Sequence, residues 1–254
     1  TGMGAIYSSK NSFLRKIFDY FYKFSLKFCD RIIFVNNNDK NYFIKKLKIL
    51  KPNIKIFGAG VLDKKNFKLS FINRKYALFN SFNILYVGRL IEEKGFIDTI
   101  KVFKKLTIKN KKLIIVGDFD KLGFTQAKNN SILKYPGVIW IKNMTDISEI
   151  LFFADVFLFP SKTEGMPTVL MEAINYNIPT ICYSIPGTED IIKNNLNGYI
   201  HKVGDLKSLE NSTLKIYNSN KKKYFNDNHI KLIFKFNRKN IINKVMKFYE
   251  QILE

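Results

Sequence analysis

Two carboxylates, Glu164 and Glu172, stand with seven residues between them in the segment 155–172, DVFLFPSKTEGMPTVLME. Carboxylates accept hydrogen bonds from sugar hydroxyls, and the stretch between these two leads into a helical pattern, TVLMEA. The first turn of a helix presents free N–H groups and the positive end of the peptide dipoles, which suits an anion. A phosphate flanked by two sugars, as in a nucleotide sugar, would use both features. The plainer reading of the same spacing is one loop Glu and one solvated helix Glu.

The elements that must position this pair are readable around it. Val156, Phe157, Leu158 and Phe159 form a short apolar run stopped by Pro160, as expected of a central strand in a parallel sheet. Residues 161–163 make a polar loop, Thr163 or Gly165 can help cap, and Pro167 suits the first helical position. Glu164 then stands in the crevice beyond the strand's carboxyl end, and Glu172 about one turn into the helix that opens on it.

Arg89 and Lys94, in GRLIEEKG, follow the strand expected at 83–87 and would project from the same rim. Fixed cations there stabilise a diphosphate leaving group more in the transition state than in the ground state. Read alone, they are also compatible with two ordinary surface cations.

From Ser81 onward strands alternate with helices: strands at 83–87, 112–117, 138–141, 156–159, 178–183 and 198–200, helices at 95–106 and 146–153, and a loop and helix reaching about Leu133. That alternation, with short connections, describes an α/β fold, a doubly wound parallel sheet. Upstream, 11–30 has Leu14, Ile17, Phe18, Phe21, Phe24 and Phe28 near helical spacing with lysines between them. Such a helix either packs one face on a core or lies on an anionic membrane. Strands are expected at 31–35 and 54–57, with Asn38 and Asp39 capping a helix from Lys40 to about Leu50. The glycines of GAGVLD, 58–63, permit unusual backbone angles, and a linker-like polar run follows to Lys75.

With 46% hydrophobic residues the chain can build a substantial core. The formal charge of +22 favours an anionic partner: a nucleotide diphosphate, acidic lipid or nucleic acid. Part of it reflects a composition rich in Lys, Asn, Ile and Phe together. No nucleic-acid motif or stacking platform accompanies the charge, so no specific nucleic acid is expected. Cys29 and Cys182 form no paired motif, which fits a reducing cytoplasm. His201 and His229 read as packing or surface residues. Asp118-Phe119-Asp120 superficially matches an Asp-x-Asp metal motif and falls at a strand end. No membrane span or signal peptide is present in the pattern.

EGMPTVLME resembles the Glu-x7-Glu motif of retaining family 4 glycosyltransferases of the GT-B fold, and GRLIEEKG and IPGTED resemble two further motifs of that family in its order. The resemblance implies that Glu164 faces the donor sugar, Glu172 binds the ribose, and Arg89 and Lys94 hold the diphosphate. The segment Gly165, Met166, Pro167 and Thr168 would contact sugar and diphosphate. It implies transfer of a sugar from a nucleotide diphosphate to a glycan or lipid-linked acceptor with retained configuration, by front-face displacement. Surface polysaccharide synthesis is the expected setting. No cofactor or metal is required, and the location would be cytoplasmic, at the inner face of the membrane.

Along the chain, the resemblance divides residues into 1–60, a remnant of the acceptor-side domain; 61–80, a linker; 81–235, the nucleotide-sugar domain; and 236–254, a helix crossing back. It implies that most of the first domain, with the family's catalytic His, lies upstream of Thr1, and that this chain alone binds donor weakly without turnover. The alternatives are a non-catalytic nucleotide-sugar subunit working with a partner chain and, less well matched, a basic nucleic-acid binder. A GT-B epimerase or phosphorylase fits the linked motifs less well.

Overall fold

The computed structural model describes residues 12–29, 31–48, 54–56, 60–61, 75–119, 133–142, 144–219 and 235–253. Strands β1 (Ile32–Phe34) and β2 (Ile54–Ile56) form a small parallel sheet. Helix α1 (Ser12–Ser25) precedes it, and α2 (Asn37–Asn41) runs into a π-helical turn, Tyr42–Lys46. Ile32, Phe34, Phe43 and Leu47 form the core of this unit, with Tyr22 and Leu26 against it. Of the apolar residues expected on one face of α1, Leu14, Phe21, Phe24 and Phe28 are exposed instead.

The main sheet has six parallel strands: β3 (Phe82–Val87), β4 (Lys111–Val116), β5 (Val138–Ile141), β6 (Val156–Phe159), β7 (Thr180–Tyr183) and β8 (Gly198–His201). Their spatial order is β5-β4-β3-β6-β7-β8. Successive residues of each strand face opposite sides of a sheet, and the two faces are separately packed. Ile84, Tyr86, Val156 and Leu158 belong to one apolar layer, with α3 (Phe96–Lys105) and α7 (Leu206–Tyr217). Leu85, Phe157 and Phe159 belong to the other, with α4 (Ser148–Phe153), α5 (Thr168–Asn175) and α6 (Thr188–Ile191). Covered on both faces, β6 and β7 are buried along their whole length, which is why β6 reads as an unbroken apolar run rather than an alternating one.

The chain winds outward from β3 through β4 to β5, then returns to the opposite side of β3 at β6. The carboxyl ends of β3 and β6 therefore flank the point where the winding reverses, where an open α/β sheet leaves its crevice. Gly95 closes this region tightly. It caps α3 in the left-handed region at φ +71, and a Cβ there would stand 2.0 Å from the Pro160 carbonyl oxygen.

Several local expectations shift. Asn36, not Asn38 and Asp39, caps α2: its side chain accepts the Asp39 N–H at 2.7 Å. Pro167 sits in extended conformation one position before α5 rather than inside its first turn. Gly60 is required by close approach, since a Cβ would stand 2.7 Å from the Arg238 Cα. Gly58 and the helix expected before Leu133 lie outside the described residues. The last helix, α8, spans Arg238–Leu253; Phe236 ahead of it is buried, its carbonyl accepting the Val61 N–H at 3.0 Å. Helix α7 was not anticipated, although Asp205 caps it by accepting the Ser208 N–H at 3.0 Å.

Candidate functional site

The loop after β3 and the loop after β6 are joined side by side. The Lys162 N–H donates to the Glu93 carbonyl at 2.9 Å, and Lys162 Nζ pairs with Glu92 at 3.0 Å. Lys94 Nζ reaches Glu164 Oε1 at 2.7 Å and the Thr163 carbonyl at 3.2 Å. Their side chains are 22% and 17% exposed, so the pair is partly shielded yet open to a ligand. Ser161, fully buried, donates from Oγ to the same Glu164 oxygen at 3.0 Å and fixes the carboxylate from beneath.

Arg89 is held near the pair by its backbone. Tyr86, buried in β3, places its hydroxyl 2.8 Å from the Arg89 carbonyl and 3.3 Å from that of Lys94. Burial pushes the Tyr86 phenol upward; the Glu164 charge pushes it the same way and the Arg89 charge opposes them. The hydroxyl therefore feels both side chains. Three of the four charged residues singled out in the sequence, Arg89, Lys94 and Glu164, thus gather at the sheet's reversal point.

Glu172 occupies a different wall. It lies in α5, half-buried, and burial followed by the Asp146 charge raises its carboxyl above the usual range. Among the described residues it has no ion pair and no side-chain hydrogen bond. Its oxygens are therefore available to accept hydrogen bonds from a ligand. Asp146 caps the turn before α4 by accepting the Ser148 N–H at 2.9 Å. Gly165, Met166 and Pro167 connect Glu164 to Thr168, the first residue of α5.

The IPGTED loop also contributes. Glu189 accepts hydrogen bonds from Ser184 Oγ and from Asn38 Nδ2, the latter at 3.1 Å. Asp118 accepts its neighbour's N–H, from Phe119, at 2.8 Å, and Asp120 lies outside the described residues. Among the described residues no group of three His, Cys, Asp or Glu could hold a metal ion. His201 is at the edge strand β8, its Nε2 2.8 Å from Ser212 Oγ, and burial lowers its pKa. Sequence reasoning missed Ser161, Tyr86 and the Asn36–Asn38 run. Only the last carried a signal, an Asn-rich helix start.

A doubly wound parallel sheet with cations and a carboxylate at its reversal point defines a Rossmann-like domain. The chain belongs to the glycosyl transferases group 1 family, whose profile matches residues 70–232. It is 27% identical over 227 residues to the UDP-Gal:alpha-D-GlcNAc-diphosphoundecaprenol alpha-1,3-galactosyltransferase of Escherichia coli, spanning 84% of this chain and 57% of that protein. To the capsular polysaccharide biosynthesis glycosyltransferase CapM of Staphylococcus aureus it is 28% identical over 218 residues, spanning 80% of this chain and 57% of CapM. The chain thus spans a little over half the length of the curated relatives it matches. Its fold is that of Anabaena Alr3699/HepE, solved with UDP and glucose: TM-score 0.82, 16% identity, covering 96% of this chain and 69% of that one. The glycosyltransferase of Rickettsia africae superposes with a TM-score of 0.80 at 20% identity, covering 94% of this chain and 67% of its own.

Proposed function

We propose that this protein is the donor-binding part of a retaining family 4 glycosyltransferase that takes its sugar from a UDP-sugar. The observation that carries the reading is the contact of Lys94 with Glu164 at 2.7 Å, which brings a cation and a carboxylate from two separate loops to the reversal point of the sheet. Lys94 and Arg89 hold the diphosphate, and Glu164 accepts hydroxyls of the transferred sugar. Glu172 accepts those of the ribose. The backbone from Gly165 to Thr168 lies along sugar and phosphates. In the reaction the acceptor oxygen bonds to the anomeric carbon as the bond to the phosphate oxygen breaks on the same face, and the acceptor proton passes to the departing phosphate. Arg89 and Lys94 offset the growing negative charge, so no metal is needed.

The names of the E. coli and S. aureus relatives support an acceptor in surface polysaccharide synthesis, lipid-linked or glycan. Titration of UDP into the protein by calorimetry tests the donor site. Saturable binding that is weakened in Lys94→Met and in Glu172→Ala supports it. Absence of binding at millimolar UDP contradicts it. Transfer is expected only when the remaining domain is supplied, and robust transfer by this chain alone would contradict that part. If this chain is instead a non-catalytic subunit, adding the partner chain restores transfer without any need for Glu164.

A second reading concerns α1. Phe13, Phe21 and Phe24 are exposed on a helix that also carries Lys16 and Lys23, and Phe28 is exposed beside Lys27 in the turn after it. Among the described residues no helix is long and apolar enough to cross a membrane. An exposed aromatic and cationic face suits peripheral contact with anionic lipid at the cytoplasmic side, where a lipid-linked acceptor would reside. Co-sedimentation with anionic vesicles, lost on replacing Phe21 and Phe24 by Ser, supports this contact; no co-sedimentation of the wild type contradicts it.

A further inference from the structure

Three consecutive asparagines at the start of α2 reach across to the main sheet's crevice loops. Asn36 is fully buried, and its side-chain amide makes three hydrogen bonds. Its Oδ1 caps α2 by accepting the Asp39 N–H at 2.7 Å, while its Nδ2 donates to the Asp39 carboxylate at 3.0 Å and to the Gly165 carbonyl at 2.9 Å. Asn37 donates twice to Asp190 in α6, from its backbone N–H at 2.7 Å and its Nδ2 at 2.9 Å. Asn38 donates to Glu189.

Gly165 follows Glu164 directly, and its carbonyl is gripped from a second side. Gly187, at φ +90, approaches so closely that a Cβ there would stand 2.1 Å from that oxygen. A trans peptide is planar, so fixing the Gly165 C=O also fixes the Met166 N–H, which points the opposite way. Helix capping alone would need only the Asn36 oxygen. The amide nitrogen is the part a Ser or Asp cap lacks, and it is spent on the loop.

We propose that Asn36 is a positioning residue for the donor loop: through Gly165 it sets the 165–166 peptide, and Asn37 and Asn38, by seating the first unit on α6, make that setting depend on the two units being together. This rests on the donor-site reading only for its consequence, that donor affinity responds to the contact; the contact's effect on the loop stands apart from it.

The test uses Asn36→Ser, which keeps the cap oxygen and loses both amide donors, and separately Asn37→Ala with Asn38→Ala, which touches no atom of the loop. Amide hydrogen exchange across 161–168 is measured on each full chain, with exchange in α7 and the thermal midpoint as controls of folding. Both variants should speed exchange at the protected amides of 161–168, among them the Lys162 N–H that donates to the Glu93 carbonyl, by about five- to tenfold, the worth of one hydrogen bond, with α7 unaltered. UDP-glucose binding should weaken by a similar factor. Unaltered exchange at 161–168 in either variant overturns the proposal whatever happens to binding. Failure of the wild type to bind UDP-glucose, with the exchange effect present, instead sinks the donor-site reading and leaves the positioning contact standing. Should Asn36→Ser fail to fold, the Asn37/Asn38 variant decides alone.

Discussion

Lys94 and Glu164 meet at 2.7 Å across the gap between the loops that follow β3 and β6, the strands that flank the reversal of the sheet. The contact joins chain segments 70 residues apart. It therefore ties the halves of the sheet together at their carboxyl rim, and on the proposed reading it holds a cation and an acid for one ligand.

Removing one partner leaves the other charge partly shielded and uncompensated. Lys94→Met should destabilise the fold by roughly 1–2 kcal/mol, below the cost at fully buried pairs because water still reaches both groups. Glu164→Gln should cost less, since its amide still accepts from Ser161. Denaturant midpoints of the two single variants and the double variant measure the coupling, and strict additivity would deny it.

Glu172 should trade stability for binding. Burial and the Asp146 charge raise its carboxyl, so the folded chain holds that proton more tightly than the unfolded chain does. Ionising it therefore lowers stability as pH climbs from the ordinary carboxylate range through the raised folded value, and the loss persists above it. Glu172→Gln should melt higher than wild type at neutral pH, with the difference closing as pH falls below the ordinary carboxylate range. A gap of constant size across that range would contradict the shift.

Tyr86→Phe removes the hydroxyl that holds the Arg89 carbonyl at 2.8 Å. A loss of about 1 kcal/mol in stability is expected, together with weaker UDP binding because the Arg89 backbone is freed. Thermal melting and calorimetry on the same variant check both; weaker stability with intact binding would detach Tyr86 from the site.

Two glycines with positive φ separate strain from crowding. Gly95 has the Pro160 carbonyl where a Cβ would go, whereas Gly204, at φ +87, has nothing within 4 Å. Gly204→Ala should cost about 1 kcal/mol from backbone strain alone, and Gly95→Ala several times that. Equal melting temperatures for the two variants would show that the β6 end yields to the added methyl.

What was legible in the sequence follows from what is local. Val156–Phe159 and Val138–Ile141 have the bounds their apolar runs suggest, because Pro160 and the turn around Gly137 end the pattern chemically. Thr180–Tyr183 is shorter than expected because Pro179 cannot donate to a ladder. The cap of α2 was misplaced because four adjacent residues, Asn36 to Asp39, can all cap, and tertiary contact selects the first. Nothing local marks Asn36 as reaching Gly165, 129 residues away, or Ser161 as a buried donor to Glu164. The acidic pair itself was legible by type and spacing. That Lys94 meets Glu164, while Glu172 feels the charge of Asp146, is set by strand order, which spacing does not encode.

The donor site is tested most directly by calorimetric titration of UDP into wild type and Glu172→Ala. Removing a charge-assisted hydrogen bond should weaken binding by about 1.5–3 kcal/mol, some ten- to hundredfold. Equal affinity in the two proteins would contradict the assignment of Glu172 to the ribose.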